Sequence, residues 1–263
     1  MPSAQRRVQT AARASAADRW ERFPDPPIVE AILFIEVLPP LDLTKDAIRR
    51  IADLVGDTLP RHERLEQTTA DFAFGSDGLT VRGIERDRDQ HRFIAEDGQR
   101  LLQLRHQGIA FNMFAPYPGW ERFRSGAQET WRAVEGVFPI EHIARIGVRY
   151  VNRINLPDEE LSLGEFLNTA PTVPSTISTS LAGFFLRLLI PDPASQARAI
   201  MRVGIEPPSS QRVNQQVLTI DIDATLDGPI DSGEVWNLID QLRDFKNRLF
   251  FESITDRTRE LFR

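Results

Sequence analysis

The chain contains no cysteine among its 263 residues. Disulfides, thiolate metal sites and a cysteine nucleophile are therefore excluded. No uninterrupted apolar run approaches the ~20 residues that a membrane-crossing helix needs, so the sequence implies no membrane span. Lysine is almost missing: Lys45 and Lys246 are the only two among 32 basic residues. The other basic residues are arginines, whose planar forks pair bidentately with carboxylates and phosphates. That bias reads either as a preference for such interfaces or as the codon usage of a GC-rich genome. Acidic residues number 38 and leave a net charge of −6, which argues against a protein devoted to coating duplex nucleic acid.

Catalytic spacings are also missing. The histidines, His62, His91, His106 and His142, form neither HxH nor HExxH and read as isolated surface or rim residues, with an approach of His91 to His106 across a hairpin as the alternative. There is no GxSxG elbow, and the glycines make neither a P-loop nor a dinucleotide fingerprint. No cofactor is implied. The sequence reads as a binding protein rather than an enzyme, with the cytoplasm as its default location.

What is present suits a globular α+β protein. Hydrophobic residues make up 41% and charged residues 27%, enough apolar material for a real core. Residues 1–23 are read as an Arg/Ala-rich flexible tail without the apolar centre of a secretory signal. Residues 24–140 and 141–263 are read as two α+β halves of one continuous domain.

Ordered structure is expected from Pro24. In Ile28 to Leu38 the odd positions, Val29 to Val37, are wholly apolar, which predicts a strand buried on one face and partly on the other. Thr44 caps a predicted helix from Lys45 to about Asp57. Five strands follow, near 63–74, 78–86, 90–96, 100–106 and 109–115. Turns are read at Gly75 to Gly78, at the polar segment Arg86 to Gln90, and at Asp97-Gly98. Their short connections require antiparallel pairing. Pro116 and Pro118 open a helix to about Phe138.

The second half repeats this plan. A strand runs from Arg145 to Ile154, and Ser162 with Glu165 makes a capping pair for a short helix. Strands are expected near 177–190, 196–206 and 214–224. Asp231 with Glu234 starts a long helix striped by Val235, Leu238, Ile239, Leu242, Phe245 and Leu249, and Ser253 or Thr255 restarts it as a final turn. The expectation is a mainly antiparallel curved sheet with helices on one face, in two pseudo-repeated strand–helix–meander–helix halves. That element order is shared with the TATA-box-binding protein, an analogy of fold alone.

The sharpest cluster is Arg145, Arg149 and Arg153, since residues four apart on a strand share one face at ~13 Å spacing. They either grip a phosphate or an acidic partner, or ladder with acids on neighbouring strands, for which Glu30, Glu36, Glu206, Asp221 and Asp223 are available. Ile146, Val148, Tyr150 and Ile154 take the core side. Tyr150 and Asn152 join the three arginines, Glu30 and Glu36 as candidate binding residues. Asp221 and Asp223, side by side on a strand, offer a weaker alternative: a divalent-cation site or an acid–base pair.

Several segments resemble those of a sporadically distributed family of bacterial proteins with no assigned activity. They are Pro26-Pro27-Ile28-Val29-Glu30-Ala31, Pro118-Gly119-Trp120-Glu121-Arg122-Phe123, the strand Arg145 to Ile154, and Phe250-Phe251-Glu252-Ser253-Ile254-Thr255 within Asn247 to Leu261. The resemblance spans nearly the whole chain from Pro24 and implies no catalytic residues. Its patchy distribution suits mobile defence or toxin–antitoxin cargo. The function expected is therefore a non-enzymatic, antitoxin-like or defence-associated partner protein working through an arginine-bearing sheet face. A protein is the expected partner, and a homodimer is compatible with it. A nucleic-acid or nucleotide binder is the alternative, and a metal-assisted enzyme the second.

Overall fold

A computed structural model describes residues 20–75, 78–157, 162–174, 176, 183–206 and 216–263, leaving aside the side chains of 66–89 and 206. The expected tail over 1–19, the turn at 76–77 and the strand starts near 177–182 and 214–215 lie outside the described residues.

The fold is α+β: among the described residues, nine antiparallel strands form one open sheet, with four helices. Strand β1 spans Ile28–Leu38 and helix α1 Lys45–Val55. The strands β2 (Arg61–Gly75), β3 (Gly78–Ile94), β4 (Arg100–Arg105) and β5 (Gly108–Phe114) form a meander, followed by α2 (Trp120–Glu135). The second half runs β6 (His142–Asn155), a 3₁₀ turn at Leu163–Glu165, β7 (Phe184–Pro191), β8 (Arg198–Glu206), β9 (Val217–Ile230), α3 (Val235–Ser253) and α4 (Asp256–Glu260). Across the sheet the order is β2-β3-β4-β5-β1-β6-β9-β8-β7. The opening strands of the two halves thus pair with each other at the centre, and each is flanked by the last strand of its own meander.

Local signals account for much of this. Thr44 accepts a hydrogen bond from the Ala47 amide at 3.2 Å, and Thr255 accepts one from Thr258 at 3.3 Å. Both satisfy amides that a helix start leaves unpaired. The Ser162 side chain makes no such bond, and that segment is a single 3₁₀ turn. Gly119, at φ 105°, delivers the chain into α2 through a backbone region that β-carbons disfavour.

One expected turn is absent. Arg86 to Gln90 does not break the chain; β3 runs unbroken, and Arg86, Asp87 and Gln90 pair with Thr68, Gln67 and Leu65 of β2. The meander has four strands instead of five. The segment holds no glycine or proline, and polarity alone does not close a turn. The histidines also differ from expectation: His91 meets His62, their ring nitrogens 2.8 Å apart, while His106 Nδ1 lies 2.8 Å from the Leu41 carbonyl oxygen.

The sheet has one apolar face. Ala31, Leu33 and Ile35 of β1, Ile146 and Val148 of β6, and Ile220 and Ile222 of β9 are fully buried on it. Helices α2 and α3 pack there: Phe123 lies against Phe111 and Tyr150, and Ser253 reaches Met201. Buried residues from both halves join one hydrophobic core. Trp20 stacks on Phe251 and Phe23 lies tilted against it, so packing begins before the expected start at Pro24.

Candidate functional site

Strand β6 carries both halves of the story, because alternate residues face opposite sides of the sheet. Arg145, Arg149 and Arg153 point to the side away from α2 and α3. There Arg149 Nε and Nη2 donate to the two oxygens of Asp221, each at 2.8 Å. Arg202 donates to Asp221 at 3.0 Å. Arg145 sits 3.7 Å from Glu36 and 3.6 Å from Asp227, with its guanidinium over the Phe34 ring. Phe34 can lie there because Gly147 has no side chain; a β-carbon would fall 2.2 Å from its ring. Glu30 is engaged elsewhere, accepting from Asn112 at 2.6 Å. Arg153 is exposed and has no side-chain partner among the described residues.

This face is mainly a cross-strand ladder. Asp221 is 8% exposed and its oxygens are taken up by guanidinium groups. Burial raises the Asp223 pKa against the pull of Arg149 and Arg145, and its Oδ1 has no hydrogen-bond partner among the described residues. Two carboxylates so arranged do not form a free cation pair. Among the described residues no group of three His, Asp or Glu side chains could hold a metal.

The other side of β6 opens a different site. Tyr150 and Asn152 line a pocket of about 280 Å³ between β6, α3, the start of α2 and the segment 20–28. Its roof is the N-terminal segment, fixed by Trp20 donating to Asp244 at 3.0 Å and Arg22 to Glu121 at 2.8 Å. Its walls are Phe23, Trp120, Phe250 and Phe251. Both tyrosines of the chain meet here, the Tyr117 and Tyr150 hydroxyls lying 3.0 Å apart. Burial pushes both phenols above their ordinary pKa, so they remain hydroxyls at neutral pH.

Helix α3 supplies the polar floor. Arg243, Lys246, Asn247 and Phe250 follow i, i+3, i+4, i+7 spacing and so share one helix face. Lys246 is 6% exposed, and its Nζ lies 3.7 Å from the Tyr150 ring centroid. Burial, followed by the neighbouring Arg243 charge, lowers its pKa to about 7. A desolvated ammonium beside a like charge loses its advantage over the neutral amine. The Arg243 guanidinium stacks 5.2 Å from the Trp120 ring.

Nearby acids are engaged elsewhere. Asp240 takes two bonds from Arg124, at 3.0 and 3.1 Å, and Glu121 pairs with Arg22. Neither Arg243 nor Lys246 has an ion-pair partner among the described residues. A larger cleft of about 410 Å³, between Pro39–Arg50 and Val137–Pro139, gathers no comparable set of buried polar groups.

Of the expected site residues, Tyr150 and Asn152 reach this pocket; Arg145, Arg149, Arg153, Glu30, Glu36, Asp221 and Asp223 do not. Lys246, Arg243, Asn247 and Tyr117 were not anticipated. One signal was available: stepping the α3 stripe from Leu242 by four residues lands on Lys246, and by four more on Phe250. A charged residue on a buried stripe marks either a paired charge or a functional one.

A comparison with protein-family models finds no match to this chain, and no curated protein is significantly similar to it.

Proposed function

We propose that the protein is a binding protein for a small anionic ligand with an apolar, preferably aromatic, body. The observation that carries this reading is the pair Arg243 and Lys246, two cationic side chains that line the pocket without an ion-pair partner among the described residues, while its two carboxylates, Glu121 and Glu21, are paired with Arg22 and Arg263. A carboxylate or phosphate would supply that balance, and charge-assisted hydrogen bonds are the stronger kind. The aromatic walls suit the ligand body. A cavity of about 150 Å³ holds benzene, so about 280 Å³ accommodates a ring with a charged substituent.

Calorimetric titration with benzoate, phenyl phosphate and octanoate tests the reading, with benzyl alcohol as the uncharged control. At least one anion is expected to bind, the alcohol is not, and Arg243→Gln weakens binding by about tenfold or more. Silence from all three anions contradicts the proposal.

A second reading places a partner protein on the opposite sheet face. It is favoured by the exposure of Phe185 (72%) and Leu189 (62%) on β7, with Arg187 between them and the unpaired Arg153 on β6. In this reading the chain is an antitoxin-like or defence-associated partner, and the mirrored strand order about β1 and β6 reflects two pseudo-repeats on a TATA-binding-protein-like plan. Capture of neighbouring gene products by the wild type but not by Phe185→Asp supports it; equal capture by both opposes it. Nucleic acid as that partner would show affinity falling steeply with salt.

A further inference from the structure

We infer that Lys246 is a nucleophilic amine that captures an aldehyde or ketone ligand as a reversible imine in the pocket beneath the N-terminal segment. The inference rests on the anion-pocket reading and names the ligand's second functional group, a carbonyl.

The geometry sets Lys246 apart from an ordinary buried lysine. Its Nζ has no hydrogen-bond or ion-pair partner among the described residues and lies over an aromatic face at the wall of an open pocket. Buried amines normally keep an acid beside them, because an unpaired buried ammonium is costly. Here the neighbour on α3 is Arg243, a second cation, which disfavours the ammonium further. Amines desolvated beside another cation are activated as Schiff-base formers. Arg243 remains charged and is free to hold the ligand's anionic group while the amine meets its carbonyl.

The step balances without a redox partner. The neutral Nζ lone pair attacks the carbonyl carbon, forming the C–N bond as the C=O π pair moves to oxygen. A proton passes from nitrogen to that oxygen to give a carbinolamine. The C–O bond then breaks as the oxygen takes a second proton and leaves as water, giving an iminium that loses a proton to the imine. Net, amine and carbonyl become imine and water. These protons exchange with solvent, to which the pocket is open. Hydrolysis reverses every step, so capture requires no turnover and is consistent with a binding role.

The sequence makes the test unusually clean, since Lys45 is the only other lysine and lies exposed on α1. The full chain is incubated at pH 7 with 4-formylbenzoate and sodium cyanoborohydride, which reduces the imine to a stable secondary amine, and the adduct is mapped by peptide mass spectrometry. Modification is expected at Lys246 at least ~10-fold faster than at Lys45, because an amine with a pKa near 7 is about half deprotonated where an ordinary lysine is almost wholly protonated. The Lys246 rate should saturate with the aldehyde and fall when benzoate is added. Lys246→Arg should abolish the adduct, but the wild-type map decides even if that variant does not fold.

Equal labelling of Lys45 and Lys246, or an unlabelled Lys246, overturns the inference. If benzoate binds while Lys246 stays unlabelled, the imine falls and the anion pocket stands. If Lys246 is labelled without saturation or competition by benzoate, the anion pocket falls and the reactive amine stands.

Discussion

Replacing Lys246 with methionine removes a buried amine and keeps a chain of similar length and shape. The folded-state pKa is about 7 and the unfolded value about 10.4. Below pH 7 the amine is protonated in both states, and the folded state carries the full cost of a buried ammonium. Between pH 7 and the unfolded pKa the unfolded chain binds the extra proton, so the lysine's contribution to stability rises with pH. Integrating from pH 6 to pH 9 gives about 3 kcal/mol of relative stabilisation of the lysine form. Lys246→Met lacks this term. Urea unfolding of both proteins at pH 6 and pH 9 should show the variant more stable than wild type by about 3 kcal/mol more at pH 6 than at pH 9. Groups common to both proteins contribute to both profiles, so the difference between the profiles isolates the lysine. Parallel pH profiles would refute the reasoning, because they would place the Lys246 amine at its ordinary pKa.

Other expectations follow from the opposite face of the sheet. Asp221→Ala strands both Arg149 and Arg202 and should cost about 1–3 kcal/mol in urea unfolding, whereas Arg149→Ala leaves Asp221 paired with Arg202 and should cost about 1 kcal/mol. An Arg149→Ala variant less stable than Asp221→Ala would contradict the ladder geometry. Gly147→Ala drives a methyl into the Phe34 ring and should lower stability by about 1–3 kcal/mol, visible as a lower Tm; an unchanged Tm would show that Phe34 moves aside freely. Arg153→Ala should leave stability within about 0.5 kcal/mol, so any loss of partner capture by that variant reports on binding rather than folding.

The parts of the fold legible in the sequence were those with local causes. The alternation along Arg145 to Ile154 placed β6 and assigned its two faces, because strand period is fixed by the backbone. Thr44 and Thr255 announced helix starts because capping is a contact within a few residues. The Arg86 to Gln90 segment reads as a turn from its charge, yet β3 continues through it, because polarity without glycine or proline does not close a turn.

The pocket was less legible for a different reason. It gathers residues from 20–28, 117–121, 150–152 and 243–251, and no spacing along the chain encodes that convergence. Tyr150 and Asn152 were chosen for the strand they occupy, and they face the pocket by strand parity. In the sequence Lys246 stands out only as one of two lysines, because helical periodicity is read from apolar residues.

The account rests on a ligand's negative charge meeting Arg243 and Lys246 in one pocket. Labelling lysine with ¹³C at Cε gives two resonances in this chain, and titrating them from pH 5 to pH 11 with and without benzoate reads that meeting directly. The expected result is a resonance with a midpoint near 7 that moves upward when benzoate is bound. The absence of any midpoint near 7, or a low midpoint that benzoate leaves in place, would contradict it.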